Sequence, residues 1–114
     1  MPSVVEYVRE DGSNPYRAWF DRLHAQAAAK VATAVTRLEI GNASRVKWIG
    51  TIGECRIDWG PGDRIYLAKD GEALIILLGG GIKQRQQADI DRAKALWAEY
   101  KARKTAVPRR LEKR

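Results

Sequence analysis

The chain holds one cysteine, one histidine, one methionine and one phenylalanine in 114 residues. A lone cysteine excludes an internal disulfide. With a single histidine beside it, neither a Cys–His nucleophile pair nor the ligand set of a structural zinc is available, so no metal and no cofactor is expected. Cys55 sits in an alternating pattern and reads as a small buried apolar side chain. His24, without a visible catalytic partner, reads as a surface or helix-capping residue. Long apolar stretches are missing too: the run from Ala73 to Leu78 falls far short of the ~20 residues of a spanning helix. The amino end, Met1-Pro-Ser-Val-Val-Glu6, lacks the regions of a signal peptide, which makes the cytoplasm the expected compartment and leaves no membrane partner.

Acidic residues are also in short supply. Fourteen Asp and Glu face 21 Lys and Arg, a formal net charge of +7. A small domain with this balance is drawn to polyphosphate, with acidic protein surfaces as the main competitor. Part of the excess lies in Arg109, Arg110, Lys113 and Arg114, so the folded body is less basic than the total. From Thr105 onward, proline and dense charge predict a mobile basic tail, residues 105–114, following a single domain over 1–104.

What the chain does have is concentrated between Glu54 and Gly81. Glu54-Cys-Arg-Ile-Asp-Trp59 and Asp63-Arg-Ile-Tyr-Leu-Ala-Lys69 alternate polar and apolar residues, the period of half-buried strands. Gly60-Pro-Gly62 separates them, Asp70-Gly71 is a two-residue hairpin signal, and Ala73 to Leu78 makes the third strand of a meander. A three-residue loop at Gly60–Gly62 would set Asp58 opposite Arg64 and Arg56 opposite Tyr66. Cys55, Ile57, Ile65, Leu67, Leu74, Ile76 and Leu78 then share the helix-packed face. Arg56, Asp58, Arg64 and Tyr66 gather on the other, where chemistry is expected.

The flanks read as supports. Val4–Val8 is a strand candidate whose neighbour the sequence does not reveal. Asn14-Pro15 is a helix start, and Tyr16, Trp19, Phe20 and Leu23 form one apolar stripe. A second helix spans about 26–40, stopped by Gly41-Asn42. Val46–Ile49 is another strand, whose Trp48 reads as a core residue before a base-stacking one. Gly79-Gly-Gly81 is expected to release the chain from the sheet into a last helix, with Ile90, Ala93, Leu96, Trp97 and Tyr100 on its apolar side. There is no phosphate-binding loop motif around those glycines.

These features give a β-α-α-β-β-β-β-α order. Together with Glu54-x-Arg-Ile-Asp-x-Gly-Pro-Gly-x-Arg-Ile-Tyr66, Leu77-Leu-Gly-Gly and Lys83-x-x-Gln86-x-x-Asp89-Ile90, the chain resembles the RelE/ParE superfamily of type II toxin-antitoxin toxins, and within it the HigB-like "addiction module killer" branch. The resemblance spans about residues 4–104. The family usually carries a tyrosine where this chain has Asp63 and an acidic residue where it has Ile82. The resemblance implies an α+β fold with a small, mainly antiparallel twisted sheet, two N-terminal helices on one face and a C-terminal helix. It implies a toxin that inhibits translation by cutting mRNA on the ribosome. A cognate antitoxin, often a helix-turn-helix protein, would hold it inactive in a hetero-oligomer. Two other readings of the same scaffold stay open: a ParE-like inhibitor of DNA gyrase, and a non-enzymatic RNA-binding module.

RNA cleavage of this kind needs the 2′-hydroxyl to attack the adjacent phosphorus, charge stabilised on the phosphorane oxygens, and a proton for the departing 5′-oxygen. Arg56 and Arg64 fit as phosphate clamps, since a guanidinium offers fixed bidentate donors; pairing with Asp58 is the plainer role for either alone. Tyr66 and Lys83 remain for proton transfer, with neighbouring cations expected to lower both of their pKa values. Lys47, Lys69 and Arg85 would extend the RNA-binding surface, with solvated charge the plainer reading for Lys69 beside a hairpin turn, and Gln84 and Gln86 would add donors at the start of the last helix.

Overall fold

The structure, a computed structural model, describes the backbone of residues 1–112 and the side chains of residues 1–106. Five strands form one sheet: β1 (Ser3–Glu6), β2 (Val46–Ile49), β3 (Ile52–Arg56), β4 (Arg64–Asp70) and β5 (Leu74–Gly81), in the order β1-β5-β4-β3-β2. Strands β2 to β5 are an antiparallel meander, and β1 closes the other edge parallel to β5. The crossover between β1 and the meander carries α1 (Pro15–Asp21) and α2 (Ala25–Glu39). A single 3-10 turn (Lys83–Arg85) leads into α3 (Gln86–Glu112). The fold is therefore α+β with a mixed, mainly antiparallel sheet and three helices.

The helix starts follow from their capping chemistry. Asn14 Oδ1 accepts from the Arg17 N–H at 2.9 Å, and Pro15, which has no N–H to satisfy, takes the first helical position. His24 caps α2 through Nδ1, which accepts from the Ala27 N–H. Gly41, at φ +88°, supplies the left-handed residue that ends α2. At the other end of the chain the expected tail does not begin at Thr105, because α3 continues to Glu112. Once a helix is nucleated, each further non-proline residue adds a backbone hydrogen bond, and α3 runs on past Thr105 through Pro108. Lys113 and Arg114 lie outside the described residues.

Both faces of the sheet are covered. On one, Tyr16 and Trp19 of α1 and Val31, Ala34 and Leu38 of α2 pack on Cys55, Ile65, Leu67, Ile75 and Leu77. On the other, Ile90, Ala93, Leu96 and Trp97 of α3 pack on Ile52, Tyr66, Ala68, Ile76 and Leu78. Leu74, Ile76 and Leu78 thus lie on the face opposite to the one expected. The physical reason is turn length: Asp70 pairs with Leu74 across Gly71–Ala73, an odd loop in place of the two-residue hairpin, and an odd slip exchanges the faces of a strand. A bulge between Tyr66 and Leu67 shifts the register once more.

The three glycines do not release the chain. Gly79, Gly80 and Gly81 stay in β5, paired with Tyr66, Ile65 and Arg64. A Cβ on Gly80 would collide with the Trp19 indole and one on Gly81 with the Asp89 carboxylate, so these positions let two side chains lie flat on the strand. Trp48, expected in the core, is 48% exposed on the edge strand β2.

Candidate nucleic-acid interface

Strand pairing places the two expected clamps side by side. Arg56 is the direct cross-strand partner of Arg64, and Glu54 that of Tyr66; the expected opposition of Arg56 to Tyr66 is off by two residues. The connection is longer than a three-residue turn, with the Ile57 N–H donating to the Asp63 carbonyl. An even slip leaves every side chain on its face, so Arg56, Arg64 and Tyr66 still share one.

Sharing a face does not give them one environment. The Arg64 side chain is only 6% exposed. Its Nη1 donates to the Gly62 carbonyl at 2.6 Å, and its Nε lies 3.4 Å from Glu54 Oε2 without forming a hydrogen bond. Glu54, equally buried, also accepts from Gln86 Nε2 at 2.7 Å and from the Tyr66 hydroxyl at 3.3 Å. Arg64 is thereby held in a socket built by β3, β4 and the first turn of α3. Arg56, one strand away, is exposed at the end of the sheet.

Tyr66 is 1% exposed beneath α3. Burial, the charges of Glu54 and Asp89, and the hydrogen bond to Glu54 push its phenol up, against a weaker downward pull from Arg64. This corrects the expectation that neighbouring cations would lower it. Lys83 is exposed at the head of the 3-10 turn, and its Cβ lies beside Gly62 in the β3–β4 loop. Lys47, opposite Glu54, and Gln84 and Arg85 are exposed, whereas Gln86 is engaged with Glu54.

Arg56 opens onto a cleft of about 430 Å³, lined also by Arg45, Asp58, Trp59, Gly62, Asp63 and Arg64. A second depression, of about 210 Å³, adjoins it through Arg45, Arg56, Ile57 and Asp58 and runs over Lys30, Thr33, Ala34 and Arg37 of α2. The Trp59 ring stands edge-on to His24, with centroids 5.4 Å apart.

Three features of this region escaped the sequence reading. Asp63 is 3% exposed, and burial raises its carboxyl pKa against the opposing field of His24. Glu54 is the counter-charge that anchors Arg64; its place in the alternating strand, on the same face as Arg56, was the available signal. Lys30 and Arg37, two helical turns apart on one stripe, look from sequence like any solvated helix face. Among the described residues no group of three or more His, Cys, Asp or Glu side chains is arranged to hold a metal ion, and no helix is long and apolar enough to cross a membrane.

No protein-family model matches the chain. A Haemophilus influenzae protein, named only as uncharacterized, is 40% identical over 86 residues, covering 74% of this chain and 87% of its own length.

Proposed function

We propose that the chain, which belongs to one family with that Haemophilus influenzae protein, is the toxin of a type II toxin-antitoxin pair, a HigB-like member of the RelE/ParE superfamily that cleaves mRNA in the cytoplasm. One observation carries the reading: Arg56 and Arg64 are direct cross-strand partners lining one cationic cleft. The β-α-α-β-β-β-β-α order of the elements supports it.

In this reading Arg56 grips the scissile phosphate from the open side, and Arg64 holds the cleft wall through Gly62 and Glu54. The 2′-oxygen forms a bond to phosphorus as the bond from phosphorus to the 5′-oxygen breaks, leaving a 2′,3′-cyclic phosphate and a free 5′-hydroxyl. The proton of the 2′-hydroxyl passes to water in the open cleft, and Asp63, buried like Tyr66, stays part of the cleft wall. The Lys83 ammonium supplies the proton to the departing oxygen. Tyr66, sealed under α3, has a packing role. Each donor aimed at the developing charge supplies about 3 kcal/mol, so Arg56 with one partner provides a workable rate without histidine. The expected partners are the translated mRNA and an antitoxin, of helix-turn-helix type, in a hetero-oligomer.

The burial of Arg64 and Tyr66 favours a second reading, in which the scaffold binds DNA gyrase and performs no RNA chemistry. Induction in cells followed by primer extension on translated mRNA separates the two. Cleavage in the wild type that disappears in Arg56→Ala supports the nuclease. Intact mRNA together with inhibited gyrase supercoiling overturns it in favour of the second reading.

A further inference from the structure

We propose that the cleft at Arg56 continues across α2 as a track for the backbone of single-stranded nucleic acid, in which Arg45 and Arg37 contact successive phosphates, Lys30 closes the far end and Trp59 stacks on a base. The track deepens the RNA-cleaving reading and rests on it for the identity of the strand.

Continuity is the first argument. The two depressions share Arg45, Arg56, Ile57 and Asp58, so one groove passes from the sheet end onto the helix. On α2 its wall is Lys30, Thr33, Ala34 and Arg37, spaced as one stripe along two turns, roughly 10 Å of helix. Arg37 and Arg45 also line one small pocket beside Cys55, and both of their fields reach its thiol.

Charge balance is the second. Arg9, Arg17, Lys69 and Lys104 each lie within ion-pairing distance of a carboxylate on the rest of the surface. Lys30, Arg37, Arg45 and Arg56 are exposed and have no such partner among the described residues; Arg22, Lys47, Lys83, Arg85, Arg92, Lys94 and Lys101 are unpaired as well, and the four are set apart by lining one continuous groove. The groove's own acids are Asp58, exposed, and Asp63, buried. A line of unneutralised cations beside a buried scaffold is the footprint of a phosphate backbone.

The third argument selects nucleic acid over an acidic protein segment. Protein interfaces are centred on large apolar anchors, and none of the exposed large hydrophobic residues (Met1, Val5, Val8, Ile40, Trp48) lines this groove. Its aromatic element is Trp59, half-buried and backed edge-on by His24, a stacking platform of the kind single strands use.

The test is binding of a fluorescein-labelled 2′-O-methyl hexanucleotide, which cannot be cut, followed by anisotropy over a range of salt concentrations. Arg37→Ala/Arg45→Ala is expected to weaken binding about tenfold and to reduce the slope of log K against log salt by about 1.4, near 0.7 for each lost phosphate contact. Lys69→Ala/Lys104→Ala, an equal charge change at the opposite end of β4, is expected to leave that slope within about 0.3 of wild type. Wild-type affinity and slope in the Arg37/Arg45 variant overturn the track, even if the protein cuts RNA. A glutamate-rich hexapeptide that displaces the oligonucleotide at equal concentration overturns it as well. Binding with the expected slope by a wild-type protein that cuts no RNA supports the track and overturns the cleavage reading instead.

Discussion

Arg56 and Arg64 face each other across two hydrogen-bonded strands, yet they occupy opposite kinds of place. Arg64 lies in a dry socket with Glu54, Gln86 and the Gly62 carbonyl, while Arg56 stands in an open groove without an ion-pair partner among the described residues. The sheet determines only the direction in which a side chain points. The amino end of α3, resting on β3 and β4, decides which of two neighbours keeps its water. One arginine is therefore a structural cation and the other a ligand-facing one, and the difference sets opposite expectations for stability and for activity.

The largest effect should come from removing the counter-charge in the socket. Glu54→Ala leaves the Arg64 guanidinium buried without compensation and frees Gln86, a loss expected to reach about 3–5 kcal/mol of folding stability. Urea unfolding measures it, and a variant within about 1 kcal/mol of wild type would show that water already reaches Arg64. Arg56→Ala is the mirror case. Stability should stay within about 0.5 kcal/mol, as for an exposed residue, while cleavage falls about 10²- to 10³-fold. Should Arg56→Ala unfold the protein while Glu54→Ala leaves it intact, the contrast between socket and groove would collapse.

This contrast was only half legible in the sequence. Alternation shows that Arg56 and Arg64 share a face, and the conclusion survives an error in register because the long Ile57–Asp63 connection slips the pairing by an even number of residues. At Asp70-Gly71 the loop is odd, and the same reasoning puts Ile76 and Leu78 on the wrong face. Local turn signals record that a chain reverses; they do not count the residues it uses. Nor does the apolar stripe of α3 declare which side of the sheet it will cover, so the sealing of Tyr66 was invisible. The glycines at 79–81 look like an exit in the sequence because their use, to let Trp19 and Asp89 lie on β5, involves partners far away in sequence. The cations of α2 are illegible for the converse reason: a lysine and an arginine on a helix surface acquire meaning only when the end of the sheet builds a groove beside them.

Asp89 sharpens the comparison from the acidic side. Asp89, in the first turn of α3, is buried against β5 as Glu54 is buried beneath the helix, but its Oδ2 has no hydrogen-bond partner, and burial raises its pKa against the fields of Arg92 and Arg85. A carboxyl whose folded pKa exceeds its unfolded value near 3.8 favours the native state fully below that value. The contribution is lost as pH rises through the folded pKa, so at neutral pH the ionised group opposes folding. Asp89→Asn is expected to stabilise the protein by about 1 kcal/mol at pH 7, a gain that shrinks toward pH 4 as the wild-type carboxyl takes up its proton. Denaturation curves at the two pH values test this, and a loss of stability at pH 7 would show that the ionised carboxylate has an unseen partner.

The smallest expected effect bears most directly on the chemistry. Tyr66 shares the Glu54 carboxylate with Gln86, but its hydroxyl makes the longer bond, 3.3 Å against 2.7 Å, so Tyr66→Phe should change stability by less than about 1 kcal/mol. Its consequence for cleavage separates two mechanisms. A proton carrier contributes about 10²- to 10⁴-fold, whereas a phenol enclosed by α3, with its pKa driven upward, should be removable with less than a threefold change. A hundredfold loss with unchanged stability would mean that α3 lifts away from the sheet when RNA is bound. Arg64 would then be uncovered with Tyr66, and the two arginines would become equivalent only in the complex.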